Sequence, residues 1–177
     1  MKIRMIYLLP LVFVATLLGL FGFALVTGVN PNEVPSALMG KRLPKFSLPM
    51  LQDEQSSVTR KELLGEPFLL NVWATWCRAC KYEHPVLNSL AADGVKIVGL
   101  NYKDHRDYAL NWLRDYADPY AVDIYDINGS LGFDLGVTGA PETFFIDSKG
   151  YIQYRFQGPI TETLWQEQLK SIYDDMV

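Results

Sequence analysis

Both cysteines of the chain, Cys77 and Cys80, fall in one stretch, WATWCRACKYEHP at 73–85. Thiols at this spacing serve as a structural disulfide, a metal clip or a redox pair. A bridge across two residues closes a tiny ring and removes little chain entropy, so a purely structural role is weak. Cys77, Cys80 and His84 have ligand-like spacing and His105 lies further on. A structural zinc site takes four ligands, usually as two close pairs, and the second pair is missing. Covalent haem attachment wants histidine directly after the second cysteine; Lys81 stands there. Redox exchange fits better. Cys77 falls where a strand turns into a helix, and unpaired N–H groups at a helix start favour a thiolate. Arg78 adds a neighbouring charge. Cys80, one turn in, is placed to attack a disulfide formed by Cys77. The Trp76 ring either shields the sulfur or simply packs.

The elements that must position this pair follow from apolar patterning. PFLLNVWA (67–74) and VKIVGLNY (95–102) are apolar runs of strand length, as in a sheet buried on both faces. Between them a helix is predicted from about Cys77 to Ala92, stopped by Asp93-Gly94. Asp104 is expected to cap a helix over roughly 105–117, with Tyr108, Trp112, Leu113 and Tyr116 on one face. YAVDIYD gives another strand; APETFFID and YIQYRF read as a hairpin about SKG. TRKE at 59–62 fits a capping box for one helical turn, and the tail from Thr161 reads as an amphipathic helix. The order β-α-β-α-β, hairpin, helix implies an α/β fold with a central mixed sheet flanked by helices.

Lys2 and Arg4 precede a stretch without charge up to Glu33. The apolar run from Met5 to about Thr27 has the length of a bilayer-spanning helix. It exceeds the apolar core of a cleaved signal peptide, and Val26-Thr27-Gly28 makes a poor cleavage site. Residues 1–28 therefore read as a signal-anchor transmembrane helix, its basic flank cytoplasmic. Residues 29–43 read as a linker and 44–177 as the folded domain. The net charge of −4, with no basic cluster, argues against a nucleic-acid surface.

NVWATWCRAC resembles the strand–motif–helix segment of thioredoxin, with Lys81 and Pro85 also matching. Pro141, in GAPETF, stands where that fold carries a cis-proline facing the dithiol. NYKDHRDYALNWL, PYAVDIYDINGSLGFDLGVTGAPETFFID and YRFQGPI resemble the membrane-anchored thioredoxin-like proteins of cytochrome c maturation, the DsbE/CcmG type. The resemblance takes in the N-terminal segment and nearly all of 44–160. It implies a thioredoxin-like fold, a redox-active Cys77–Cys80 disulfide with no other cofactor, and an acidic site that includes Glu83 and Glu142. Thioredoxin has a buried aspartate six residues before its first cysteine. Asn71 stands there and takes no proton at neutral pH, which moves proton handling onto Glu83 or Glu142. The pair between the cysteines is Arg78-Ala79, where family members often carry a proline.

The resemblance also implies a reductant tethered to the inner membrane and facing the periplasm. Its expected partners are apocytochrome c or a thiol-bearing maturation factor, and a membrane electron donor of the DsbD or CcdA type. Three rivals differ in kind. A general periplasmic disulfide reductase would use the same chemistry on many proteins. A peroxidase would need Pro-x-x-x-Thr-x-x-Cys, but Leu70 and Ala74 hold the Pro and Thr positions. A binding module for haem or unfolded cytochrome would need no redox work.

Overall fold

The computed structural model describes residues 8–26 and 38–177, which fall into two units. In the first, α1 (Leu8–Val26) carries no charged residue, and Thr16 returns its hydroxyl to the Val12 carbonyl at 2.8 Å. Leu9, Leu11, Phe13, Phe21 and Phe23 are exposed. Among the described residues no helix is long and apolar enough to cross a membrane. The ends of the expected 1–28 span, and residues 29–37 of the expected linker, lie outside the described residues.

The second unit opens with a ribbon of β1 (Ser47–Pro49) and β2 (Ser57–Thr59), followed by the single turn α2 (Arg60–Leu63). The capping box is present: both the Thr59 amide and its hydroxyl donate to Glu62 at 2.7 Å. Then come β3 (Phe68–Trp73), α3 (Arg78–Ala92), β4 (Ile97–Tyr102), α4 (Arg106–Tyr116), β5 (Val122–Asp126), α5 (Ser130–Asp134), β6 (Glu142–Ile146) and β7 (Ile152–Gln157). The chain closes with α6 (Glu162–Leu164), a π-helical turn at Trp165–Leu169, and α7 (Lys170–Asp174). The central sheet has the order β5-β4-β3-β6-β7. β3, β4 and β5 run parallel, and β6 and β7 are antiparallel.

Strand alternation sorts the side chains into two cores. On one face Leu69, Trp73, Ile97, Phe145 and Phe156 pack with Leu87 and Leu90 of α3, Leu113 of α4, and Trp165 and Leu169 of the C-terminal segment. Both cysteines belong to this cluster. On the other face Leu70, Val72, Leu100, Ile124, Phe144 and Ile146 pack with Leu63 of α2 and Leu131 of α5. β3 is buried at every residue because it is central and covered on both sides.

Four expectations need correction. The folded domain does not wait until residue 44: the Gly40 amide donates to Ile152 O, the Ile152 amide to Lys41 O, and Leu43 is fully buried. In α4 the inward residues are Ala109 and Leu113, whereas Tyr108 and Tyr116 are exposed. Its N-cap is His105 rather than Asp104. The tail is not a uniform α-helix: a π-turn at Trp165–Leu169 interrupts it, with Trp165 and Leu169 both buried.

One register row sets the geometry around the sheet centre. Asp123, Gly99, Asn71, Thr143 and Phe156 are cross-strand neighbours from β5 to β7, all on the face that carries α3. Glycine at 99 is required by crowding: a Cβ there would sit 2.9 Å from Tyr120 Cγ and closer still to the Asp123 carboxylate. Gly99→Ala is expected to destabilise the domain by about 1–3 kcal/mol through overpacking, read as a lowered midpoint in urea unfolding.

Candidate active site

The site is built where β3 ends. The chain turns at Ala74–Trp76, the Cys77 amide donates to Ala74 O at 3.1 Å, and α3 begins with Cys77 as its N-cap. Cys77 and Cys80 are joined as a disulfide, and the Cys80 amide donates to Cys77 Sγ at 3.0 Å. An orphan N–H of the first helical turn thus points at the sulfur that would carry thiolate charge. Two neighbours fix the turn before it. Asp104 accepts from the Thr75 amide at 2.6 Å and from its hydroxyl at 2.7 Å, and the Trp76 indole donates to Lys103 O at 3.1 Å. Asp104, expected as a helix cap, is therefore the clamp that holds the cysteine loop. Trp76 remains 55% exposed, so its ring lies at the surface rather than in the core. Arg78 turns along the helix surface, its Nε donating to the Tyr82 hydroxyl at 3.3 Å.

The Ala140–Pro141 peptide bond is cis, and Ala140 packs against the cluster that contains both cysteines. Glu83 lies one turn beyond Cys80 on α3 and is 1% exposed. Its Oε1 accepts from Asn71 Nδ2 at 3.0 Å and its Oε2 from the Ile160 amide at 2.9 Å. Burial pushes its carboxyl up to about 7, against the opposing pull of the Ile160 and Asn71 donors. A carboxyl poised there exchanges a proton near neutral pH.

Glu142 is different. Its strand position puts it on the opposite face of the sheet, across from Val72 and beside Phe144. Both oxygens are occupied. Oε2 accepts from Arg155 at 2.6 Å in a pair whose side chains are only 6% and 3% exposed. Oε1 accepts from the Thr138 amide and hydroxyl and the Gly139 amide. Glu142 ties the 136–141 loop to β7, and Arg155 adds a bond to Gly136 O at 2.9 Å. The expectation that Glu83 and Glu142 share one acidic pocket is corrected by this alternation: the sheet separates them.

Four residues in this region were not singled out by sequence reasoning. Tyr120 donates to Asn71 Oδ1 at 3.0 Å and stacks on Trp73 with ring centroids 5.5 Å apart. Asp123 is fully buried and accepts from the Trp73 indole at 3.1 Å; burial and the charge of Asp118 push its carboxyl well above the usual range. Thr143 and Arg155 complete the two networks. The alternation of β6 and the register of its neighbours hold the signal for Thr143 and Arg155, but register needs the pairing to be known. His84 is packed, with Nε2 2.8 Å from Ala117 O and its ring edge-on to Trp112; burial lowers its pKa. Among the described residues no group of acids, cysteines and histidines is arranged to hold a metal ion.

A strand–turn–helix carrying a Cys-x-x-C disulfide beside a cis-proline loop, on this mixed sheet, defines a thioredoxin-like thiol–disulfide oxidoreductase. The pattern of the Redoxin family matches residues 38–175. A thiol:disulfide interchange protein DsbE of Vibrio cholerae is 47% identical over 177 residues, covering 98% of this chain and 96% of the relative. The Escherichia coli DsbE is 43% identical over 176 residues, covering 97% and 95%. Among solved structures, a DsbE of Chlorobium tepidum superposes with a TM-score of 0.64 at 25% identity, covering 76% of this chain and 97% of that one. The chain belongs to the DsbE thiol:disulfide interchange proteins of the redoxin family.

Two outcomes follow. The folded pKa of Glu83, about 7, lies above the ordinary value of 4.5. The stabilisation from its proton is therefore complete below about pH 4.5 and is lost as pH rises through about 7. Relative to Glu83→Gln, the oxidised wild type is expected to lose roughly 3 kcal/mol over that window, measured by urea unfolding at a series of pH values. Glu142→Gln strands the Arg155 charge and is expected to cost about 3–5 kcal/mol, by the same unfolding assay at pH 7.

Proposed function

We propose that the chain is a membrane-tethered, periplasm-facing reductant of cytochrome c biogenesis. Its substrate on this reading is the haem-site disulfide of apocytochrome c, or a disulfide on a thiol-bearing maturation factor. The observation that carries the reading is the pairing of the Cys77–Cys80 disulfide with a buried carboxyl, Glu83, one turn behind Cys80. In the reduced enzyme the Cys77 thiolate attacks one sulfur of the substrate disulfide and expels the other as a thiolate. Cys80 gives its proton to the Glu83 carboxylate and attacks Cys77 Sγ. The mixed disulfide breaks, the second substrate thiolate leaves, and Cys77–Cys80 closes. Two electrons pass to the substrate. A dithiol donor in the membrane, of the DsbD or CcdA type, restores the enzyme. The cis-Pro141 loop lines the docking cleft, and the Glu142–Arg155 pair behind it keeps the loop in place.

Tethering is supported by the uncharged helix α1 and by the match to the Vibrio cholerae relative, which covers 98% of this chain and so reaches past the folded domain. On this reading residues 1–28 anchor the chain in the inner membrane with the domain outside.

Cys80→Ser removes the resolving thiol and leaves the mixed disulfide on Cys77. Expressed in cells that assemble c-type cytochromes, this variant is expected to retain apocytochrome c or a maturation factor, released by reductant and identified by mass spectrometry. Recovery of many unrelated secreted proteins would instead make the chain a general periplasmic reductase.

A further inference from the structure

Asn71 stands at the centre of the sheet, fully buried, with both ends of its amide engaged. Oδ1 accepts from the Tyr120 hydroxyl at 3.0 Å; Nδ2 donates to Glu83 Oε1 at 3.0 Å and to Thr143 Oγ1 at 3.1 Å. The two ends of an amide have nearly the same shape, so its neighbours decide which end faces where. Thr143 does not decide, because a hydroxyl both donates and accepts. Glu83 does not decide either: ionised it accepts from Nδ2, and protonated it can donate to Oδ1. Tyr120 does decide. Its hydroxyl proton has Asn71 Oδ1 as its acceptor, and a reversed amide would bury that proton without one, at the cost of an unmade bond. Burial pushes the Tyr120 phenol well above its ordinary range, so the proton stays in place at every working pH.

We propose that Tyr120 is a positioning residue for the exchange reaction: by donating to Asn71 Oδ1 it fixes the amide with Nδ2 toward Glu83, and so favours the ionised form of that carboxyl, the form that accepts the Cys80 proton. The inference rests on the role of Glu83 given under Proposed function. A reversed amide would present Oδ1 to Glu83, favour the protonated acid and leave less carboxylate to accept the Cys80 proton. Asn71 thus occupies the place of a proton-carrying acid as an oriented donor.

Of the other groups around Glu83, only the Ile160 amide also favours the charged form, and as a backbone N–H it cannot be reversed. From its own helix come Cys80 and His84, and the His84 ring is spent on Ala117 O. From β6 comes neutral Thr143, and from the segment after β7 a backbone amide, that of Ile160. From β5 comes Asp123, whose carboxyl is pushed well above its usual range by burial and by the charge of Asp118, which also acts on Tyr120. Among the described residues no cation pairs with Glu83; its charged form depends on two N–H donors.

The test is a pH titration of the Glu83 side-chain carboxyl carbon by NMR in the full chain, oxidised and reduced. It is paired with the pH profile of the step in which Cys80 displaces a model thiol from Cys77. Tyr120→Phe keeps the ring that stacks on Trp73 and removes only the hydroxyl. It is expected to raise the Glu83 midpoint by about one unit. The profile of the Cys80 step should move alkaline by the same amount, slowing it about tenfold at one unit below the wild-type midpoint. In an Asn71→Leu background, where no amide remains to be oriented, Tyr120→Phe is expected to add nothing. An unmoved midpoint in Tyr120→Phe, or an equal shift in the Asn71→Leu background, overturns the proposal. A midpoint that moves while the Cys80 profile stays still removes Glu83 from the proton transfer, and the proposed role of Tyr120 falls with it.

Discussion

A carboxyl buried between a helix and a sheet is the constraint around which this domain is arranged. Glu83 hangs from the helix that carries the dithiol, and its two oxygens are met from opposite directions. Asn71 reaches from the middle of β3, and the Ile160 amide comes from the segment after β7. Neither donor carries charge, so the group stays close to the balance between its two protonation states. Full solvation would return it to an ordinary acid, and an adjacent cation would lock it as an anion. The small residue at Gly99 leaves room for the Tyr120 and Asp123 side chains that border this space.

The second acid shows the opposite use of burial. Glu142 is as hidden as Glu83, yet its partner is Arg155, and the loop amides at Thr138 and Gly139 saturate the other oxygen. Breaking a buried ion pair is far costlier than the pair's net contribution to stability, because it strands a charge. Two glutamates near one active site thus divide into a titrating group and a structural tie. A single step of strand alternation between Glu142 and Thr143 separates these roles.

Much of this was legible in the sequence. The apolar runs at 67–74 and 95–102 became β3 and β4, and the Cys-x-x-C fell at a strand–helix junction because the residues before it form a fully buried strand. The hairpin of β6 and β7, and the place of Pro141, could also be read. What escaped was what depends on pairing across the sheet. Glu142 is grouped with Glu83 by the family resemblance, and only the register of β3 against β6 shows that they lie on different faces. The short elements β2 and α5 carry too little periodicity to be recognised alone. Helical spacing puts Tyr108 and Tyr116 on one face with Leu113, but tyrosine lies comfortably at a rim, and the smaller Ala109 faces the core. Tyr120 lay in a stretch read as the start of a strand, where a hydroxyl reaching the sheet centre leaves no local mark.

The bond from Ile160 to Glu83 joins residues 77 positions apart in the chain. The helix bearing the cysteines is complete by Ala92, and β3 and β4 by Tyr102, yet one of the two donors that govern the buried acid arrives only after β7 has been added. In a chain made from its N-terminus, the thiols emerge well before the group that completes their surroundings. A contact across so long a stretch of chain must first overcome the entropy of closing that loop. The dithiol and the buried acid beside it are therefore made at different times, and the acid's surroundings are complete only when the last strand of the sheet is in place.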